Sequence, residues 1–222
     1  MSTVAPTINR RAKRGVRAAI AAVLAVILIA AMALSTKAVK IGSASDAQVK
    51  VFDPAVYGEA QFPKTQSAIE AKAVSADTLA AAIAKDQDAA GKQYGVAGGV
   101  AGGGIGPEIS VKFDGVAGSE DAGIYTVKVP NVPDSVVIRV QTGPAINGTD
   151  LRDASGTISF EQFTNQIDYQ NAGYAINTAM KKAVLSKVDT AKLTGKTISV
   201  VGVFQLINPN GWLVTPVKLD VK

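Results

Sequence analysis

Apolar and polar residues follow strand-like patterns in two parts of the chain, on either side of residues 143–185. Half-buried strands alternate apolar and polar side chains, and fully buried strands are short runs rich in valine and isoleucine. Five stretches fit one of these patterns: 108–113, 123–129, 134–141, 197–206 and 212–221. The pattern therefore predicts three strands before the central stretch and two after it.

Turn residues separate these predicted strands. Asp114-Gly115 with Gly118 predicts a turn after the first strand, and Pro130-Asn131 with Pro133 predicts a turn after the second. Asn208-Pro209-Asn210-Gly211 lies between the last two strands and predicts a hairpin.

The central stretch predicts a long helix. Ser159 and Gln162 fit a capping box, so we expect the helix to begin near Phe160. At about 100° per residue, one narrow stripe of this helix is apolar except for Asn171, and a second apolar set lies opposite. The stripe consists of Phe160, Phe163, Ile167, Tyr174 and Leu185, and the opposite set of Ile176, Met180 and Ala183. Both faces are therefore expected to be covered, unless the helix bends at Gly173.

Two shorter helices are predicted before the strands. Asp53 is placed to cap a helix that starts at Pro54 and that Pro63 is expected to end. Ser75 or Asp77 caps the second predicted helix, and Gly91 is its expected C-terminal stop. The glycine-rich residues 95–106 that follow predict a flexible loop. A phosphate-binding loop is disfavoured because no strand precedes the glycines and no Lys-Ser/Thr pair follows them.

The order of three strands, a helix and two strands is that of an OB-type fold. We therefore expect an α+β protein, mainly β: an OB-like five-stranded barrel with the long helix between strands 3 and 4. The two N-terminal helices and a transmembrane helix complete the prediction. A half-open α+β sheet with the same element order is the alternative.

The amino-terminal region predicts a membrane anchor. Residues 18–36 carry no charge and are just long enough to span a bilayer core of about 30 Å. The basic flank before them predicts a cytoplasmic N-terminus by the positive-inside rule. Cleavage after Ala33, in an Ala-x-Ala pattern, is the alternative to retention. The expected organisation is a cytoplasmic tail (1–17), an anchor or uncleaved signal (18–36), a stem (37–51) and an extracytoplasmic domain (52–222).

Composition excludes several classes of protein. The chain has no cysteine and no histidine, which removes disulfides, thiolate nucleophiles, the usual zinc sites and imidazole-based triads. We therefore expect no metal and no cofactor. Five of the 23 basic residues precede residue 18, and from there on basic and acidic residues are equal in number. Since the folded part carries no cationic excess, nucleic-acid binding is not expected.

Candidate site residues lie in or near the central stretch. Asp150 and Asp153 flank Arg152, and with Asp168 they could in principle serve a carboxylate-based hydrolase. The alternative for Asp150–Asp153 is a turn held by a surface ion pair. An asparagine on an apolar stripe must find partners, which a structural hydrogen bond or a ligand could supply. The single tryptophan, Trp212, has two interpretations: it stacks on a sugar, or it packs at the edge of the barrel. The speculative ligand-binding set is Arg152, Asp153, Thr164, Asp168, Asn171 and Trp212, with no catalytic residue assigned.

Several segments resemble an uncharacterised bacterial family of predicted periplasmic lipoproteins, often encoded beside sugar ABC-transporter components. They are FDPAVYGE (52–59), AGKQYG (90–95), TGPAINGTDLRDA (142–154), ISFEQFTNQIDYQ (158–170) and the terminal LVTPVKLDVK. The resemblance implies an extracytoplasmic protein with an accessory role in carbohydrate uptake, and it carries over no catalytic residues. The chain departs from the lipoprotein pattern because it has no cysteine to carry a lipid.

The expected function is therefore a membrane-anchored accessory or binding module of a sugar-uptake system. It would be a single-pass protein of the cell membrane, with its C-terminal domain outside the cytoplasm. The expected partners are the cytoplasmic membrane and either sugar ABC-transporter components or a small carbohydrate. A structural envelope protein that binds another protein, and the carboxylate-based glycoside hydrolase, are the alternatives.

Overall fold

The computed structural model describes residues 10–36, 51–97 and 106–222. The chain forms two compact units, Met1–Val51 and Phe52–Lys222. In the first unit, helix α1 (Arg10–Ser35) contains the segment Gly15–Ser35, whose most apolar window has a mean hydropathy of 2.7. By length and composition this segment can cross a membrane. All but the last residue of the predicted stem (37–51) and most of the glycine-rich segment lie outside the described residues.

The second unit is built on a mixed sheet. Its long strands are β3 (Glu108–Asp121), β4 (Ile124–Lys128), β5 (Val137–Gln141), β6 (Thr197–Gln205) and β7 (Gly211–Val221), with short β1 (Val74–Ser75) and β2 (Gly95–Val96) paired to β3. β3 pairs antiparallel with β4 and β4 with β5, and β5 pairs parallel with β7. β7 pairs antiparallel with β6, which returns to β3. The five predicted strands are confirmed, and their pairing closes into a circuit.

The first strand is longer than predicted. Asp114-Gly115 does not form a turn, because β3 continues through it and pairs with β6 as far as Val116. Val127 and the backbone of Lys128 on β4 pack directly over Gly115, where a larger side chain would collide with them. The chain reverses instead at Ala122 and Gly123, which have φ values of 50° and 80°. The hairpin at Asn208-Pro209-Asn210-Gly211 is confirmed.

Helix α2 (Pro54–Lys72) begins as predicted, with the Asp53 carboxylate accepting hydrogen bonds from the amides of Ala55 and Val56. The prediction that Pro63 ends this helix is wrong. A proline inside a helix costs about 3 kcal/mol. Burial of Phe62 and Ile69 on either side of Pro63 offsets that cost, at about 1.5–3 kcal/mol for each large apolar side chain.

The next predicted helix is two helices, α3 (Ala76–Lys85) and α4 (Gln87–Tyr94). Asp86 separates them because its extended backbone interrupts the helix and its carboxylate caps α4 through the amide of Ala89. Gly91 therefore lies inside α4 rather than at a helix end. It packs against Pro107, where an added Cβ atom would lie only 3.0 Å from the proline ring.

The long central helix, α6 (Gln166–Ala183), begins six residues later than predicted. Residues Phe160–Gln162 form a separate 3-10 turn, and Ser159 makes no capping bond. Asn165 is the true cap, accepting from the Asp168 amide at 2.9 Å and donating to the Asp168 carboxylate at 2.9 Å. The predicted buried stripe is also wrong: Ile167 is 70% exposed, and the face with Ile176 and Met180 is buried.

Helices α2 and α6 pack closely at Gly58, whose backbone lies against the carbonyl of Ala175. A Cβ atom at Gly58 would lie 2.3 Å from that oxygen, which is inside van der Waals contact. We expect Gly58→Ala to separate the helices and to lower the free energy of unfolding by about 1–3 kcal/mol. Chemical denaturation followed by the fluorescence of Trp212 measures this change. Lys64→Ala, at an exposed position of the same helix, is the control and should stay within about 0.5 kcal/mol.

Candidate functional site

A short helix, α5 (Asp150–Ala154), brings polar side chains against one face of the sheet. Ser110 pairs with Val203, which pairs with Thr215, so these residues form a row across β3, β6 and β7. Gln141 extends this row, because its Nε2 donates to Thr215 Oγ1 at 2.9 Å. We call Glu108, Gln141, Asp150, Arg152, Asp153 and Thr215 the polar cluster.

Arg152 and Asp153 form a buried ion pair. Arg152 Nε and Nη2 donate to the two carboxylate oxygens of Asp153 at 2.8 and 3.0 Å, with both side chains under 8% exposed. Arg152 Nη1 donates to the carbonyl of Tyr169 at 2.9 Å, and the guanidinium carbon lies 3.6 Å from the Tyr169 ring centroid. Thr149 Oγ1 donates to Asp153 at 2.7 Å. The prediction of a surface ion pair is therefore wrong, since this pair is buried and fully engaged.

Asp150 points to a different partner from its neighbour Asp153. Thr215 Oγ1 donates to Asp150 Oδ2 at 3.2 Å. Gln141 Oε1 accepts from the backbone N–H of Asn147 at 3.1 Å, which fixes the loop before α5. Burial raises the pKa of Asp150 to about 6, although the Thr215 hydrogen bond opposes that shift. Asp150 is consequently a carboxyl group that titrates near neutral pH.

Glu108 is the most perturbed acid of the polar cluster. Its side chain is 2% exposed at the start of β3. Burial, reinforced by the nearby charges of Asp150 and Asp153, raises the pKa of Glu108 to about 9. Arg152 opposes the shift but is engaged by Asp153. Glu108 is therefore a neutral carboxylic acid at neutral pH.

Three polar atoms around this region are buried without a hydrogen-bond partner in the described part of the chain: Tyr57 Oη, Glu108 Oε2 and Asn177 Oδ1. Asn177 does donate from Nδ2 to the Gly148 carbonyl at 2.9 Å, on the loop that leads into α5. Buried polar groups of this kind are commonly satisfied by internal water. Within residues 10–36, 51–97 and 106–222, no group of three or more acidic side chains is arranged to hold a metal ion.

The structure does not bring the six candidate ligand-binding residues together. Arg152 and Asp153 are buried as a pair, and Asp168 is held by its cap partner Asn165. Thr164 is exposed and Asn171 half-buried, so Asn171 is not the buried amide that the helical stripe predicted. Trp212 is fully buried, stacked on Phe204 at 4.6 Å, and it donates to the Pro209 carbonyl. Ligand binding by this set stays a prediction.

The three carboxylates of the hydrolase hypothesis each have a protein partner. Asp153 is paired with Arg152, Asp150 accepts from Thr215, and Asp168 bonds to Asn165. A retaining or inverting glycosidase needs two carboxyl groups facing a common substrate. The geometry gives that alternative no support.

Sequence reasoning missed Glu108, Gln141 and Thr215. Glu108 begins a stretch whose alternation of apolar and polar residues predicts that polar side chains face solvent. Gln141 and Thr215 lie on strands otherwise rich in apolar residues, where a polar side chain is a sign of a buried hydrogen bond. That sign was present in the sequence.

Among the described residues, the two largest of the open grooves found lie away from the polar cluster. The larger, of about 740 Å³, runs between α2, the end of α6 and β7, and its polar lining includes Gln66, Glu70, Lys187, Asp189 and Lys218. We call it the α2–β7 groove. The smaller, of about 600 Å³, lies beside Thr142, Pro144, Lys181 and Thr190. Neither groove is lined by a residue of the candidate ligand-binding set.

Residues 23–220 match the family described as "Predicted periplasmic lipoprotein (DUF2291)". The chain belongs to this family. The family resemblance seen in the sequence is therefore confirmed, whereas the gene context beside sugar transporters stays a prediction. A DUF2291 protein with an apolar N-terminal helix fits a membrane-anchored extracytoplasmic protein. No curated protein matches this DUF2291 chain.

Among solved structures, this DUF2291 protein is similar to an OB-fold protein from Thermotoga maritima. The two chains are 20% identical, with a TM-score of 0.62 over 78% of this chain and 100% of the other. At this identity the likeness shows the fold alone. The expected α+β class is confirmed, with a mixed sheet. The OB element order expected from the sequence is confirmed as well.

Proposed function

We propose that this protein is a membrane-anchored binding module outside the cytoplasm that takes a small polar ligand, with a monosaccharide as the first class to test. In this proposal residues 1–17 are a cytoplasmic tail, 18–36 the anchor and 37–51 a stem. The single-pass orientation follows the basic flank before the anchor. The closed circuit of strand pairing supports a five-stranded barrel as the scaffold.

One observation supports binding rather than catalysis: Asp150, Asp153 and Asp168 each have a protein partner, whereas the α2–β7 groove is open and polar. Carboxylates, an amide and ammonium groups can donate to and accept from sugar hydroxyls. Ala183, Val188 and Val221, which are half-buried or exposed, add apolar surface to the groove for the C–H face of a sugar ring. The groove volume lies within the range of small-molecule sites, roughly 300–1,000 Å³.

Thermal unfolding of the full chain in detergent, with a panel of neutral and acidic monosaccharides, tests the proposal. A ligand present at about a hundred times its Kd stabilises the folded state by about 2.7 kcal/mol. We expect one sugar to raise Tm by several degrees, and the double variant Glu70→Gln/Asp189→Asn to abolish that rise. Asp88→Asn, an exposed change outside the groove, should retain it.

An unchanged Tm with every sugar would contradict the proposal. A rise that Glu70→Gln/Asp189→Asn leaves intact would place the ligand outside the α2–β7 groove. An accessory role in sugar uptake needs two results together: a sugar that binds, and a transporter subunit that co-purifies with the full chain.

A further inference from the structure

Five aromatic rings form a continuous contact network beside the buried Arg152. Phe163 contacts Phe52, Tyr57 and Tyr169 at centroid distances of 5.6, 5.5 and 5.4 Å. Phe52 also contacts Tyr57 at 5.2 Å, and Phe160 contacts Tyr169 at 5.7 Å. Tyr169 is buried, and the other four rings are half-buried. We call Phe52, Tyr57, Phe160 and Phe163 the aromatic patch.

The aromatic patch lies where α2 and α6 begin. Phe52 precedes α2, and Phe163 precedes α6. The first turns of the two helices add Val56 and Ile167, which are 65% and 70% exposed. Interaction surfaces commonly expose large apolar side chains on neighbouring elements in this way, whereas solvated helix ends are mostly polar.

Acidic residues surround the aromatic patch. Asp53 and Glu59 lie on the α2 side, and Glu161 and Asp168 on the α6 side. The segments 51–63 and 156–180 contain no lysine or arginine. Lys182, which pairs with Glu59 at 2.7 Å, offsets one of these charges. The two segments that carry the patch are therefore net negative, which favours cationic partners and disfavours anionic lipid surfaces.

The aromatic rings add to that preference. Ring faces carry partial negative charge and attract guanidinium and ammonium groups. Arg152 uses one such face within the protein, at 3.6 Å from the Tyr169 centroid. A partner that presents Lys or Arg beside aliphatic side chains would satisfy both the rings and the carboxylates.

We propose that the aromatic patch is a docking surface for a basic, amphipathic segment of a partner protein. The occupant places aliphatic side chains on Phe52 and Phe163 and its cationic groups against Glu161 and Asp168. This surface is separate from the α2–β7 groove, so neither proposal depends on the other.

Titration of the full chain in detergent with two short synthetic peptides tests this proposal. One peptide is composed of leucine and lysine, and the other has glutamate in place of every lysine. We expect the lysine peptide to bind at least about tenfold more tightly, a difference of about 1.4 kcal/mol. Added salt should weaken its binding, because exposed charges are screened.

Two variants locate the binding surface. Glu161→Lys reverses an exposed charge beside the patch, and Phe163→Ser removes a central ring; each should weaken binding of the lysine peptide about tenfold. Asp121→Lys and Val137→Ser make the same kinds of change at exposed positions elsewhere and should leave it unaltered. Unchanged emission from the buried Trp212 shows that each variant is folded.

Three results would overturn the proposal. They are binding of the lysine peptide weaker than about 1 mM, equal affinity for both peptides, and binding that Glu161→Lys leaves unchanged. A lipid occupant is tested separately with Phe163→Trp in nanodiscs that contain brominated lipid. Quenching of the new tryptophan by the bromine atoms would assign the patch to the membrane surface instead.

Discussion

Replacing Arg152 by methionine is expected to lower the free energy of unfolding by about 3–5 kcal/mol. The change leaves the Asp153 carboxylate buried with only Thr149 and Tyr169 as hydrogen-bond donors. It also removes the bond to the Tyr169 carbonyl and the stacking on that ring. Guanidinium denaturation, followed by the fluorescence of Trp212 in the full chain, measures the loss.

A second variant separates loss of charge balance from loss of packing. Arg152→Met/Asp153→Leu removes both charges, so it should be more stable than Arg152→Met alone. Lys182→Met breaks the exposed pair with Glu59 and should change the denaturation midpoint little, since both of its side chains are well solvated. A midpoint for Arg152→Met equal to that of the parent chain would show that the buried pair contributes nothing to stability.

The strands could be predicted because their signal is local. Val137–Gln141 and Thr197–Gln205 are rich in β-branched residues, and the Asn-Pro-Asn-Gly turn fixes the last hairpin. The OB element order follows from those strands and one helix between them. The start of that helix could not be placed, because Ser159 and Asn165 both begin plausible capping motifs. In the structure Asn165 makes the capping bonds and Ser159 makes none.

Burial of single polar residues could be read from the sequence, but the assembly of the polar cluster could not, because its contacts join distant parts of the chain. Thr215 lies 65 residues from Asp150 and 74 from Gln141, and no local pattern links them. The acidic and basic residues of 150–153 have the composition of a surface turn. Their burial is decided by the sheet face on which α5 lies. Glu108 could not be placed for the same reason. The alternation of apolar and polar residues in β3 predicts an exposed side chain at this position, but the fold buries it.

Between pH 7 and about pH 9, the free energy of unfolding is expected to fall as pH rises, and Glu108 is the cause. Its pKa is raised from 4.5 to about 9 in the folded chain. In this range the folded chain holds one more proton than the unfolded chain, so each pH unit costs at most about 1.4 kcal/mol. The chain has no histidine, and Asp150, with a pKa of about 6, has already titrated. The expected loss from pH 7 to pH 8.5 is therefore about 2 kcal/mol.

Glu108→Gln tests this assignment because an amide stays neutral at every pH. The variant should abolish the slope between pH 7 and about pH 9, and its advantage over the parent chain should grow with pH across that range. Below about pH 4.5 the advantage should vanish, since Glu108 is then protonated in both the folded and the unfolded parent chain. Glu70→Gln, at an exposed position, should keep the slope of the parent chain. If the free energy of unfolding of Glu108→Gln still falls between pH 7 and about pH 9, another group of the folded chain holds the extra proton. Glu108 would then not be the acid that burial keeps neutral.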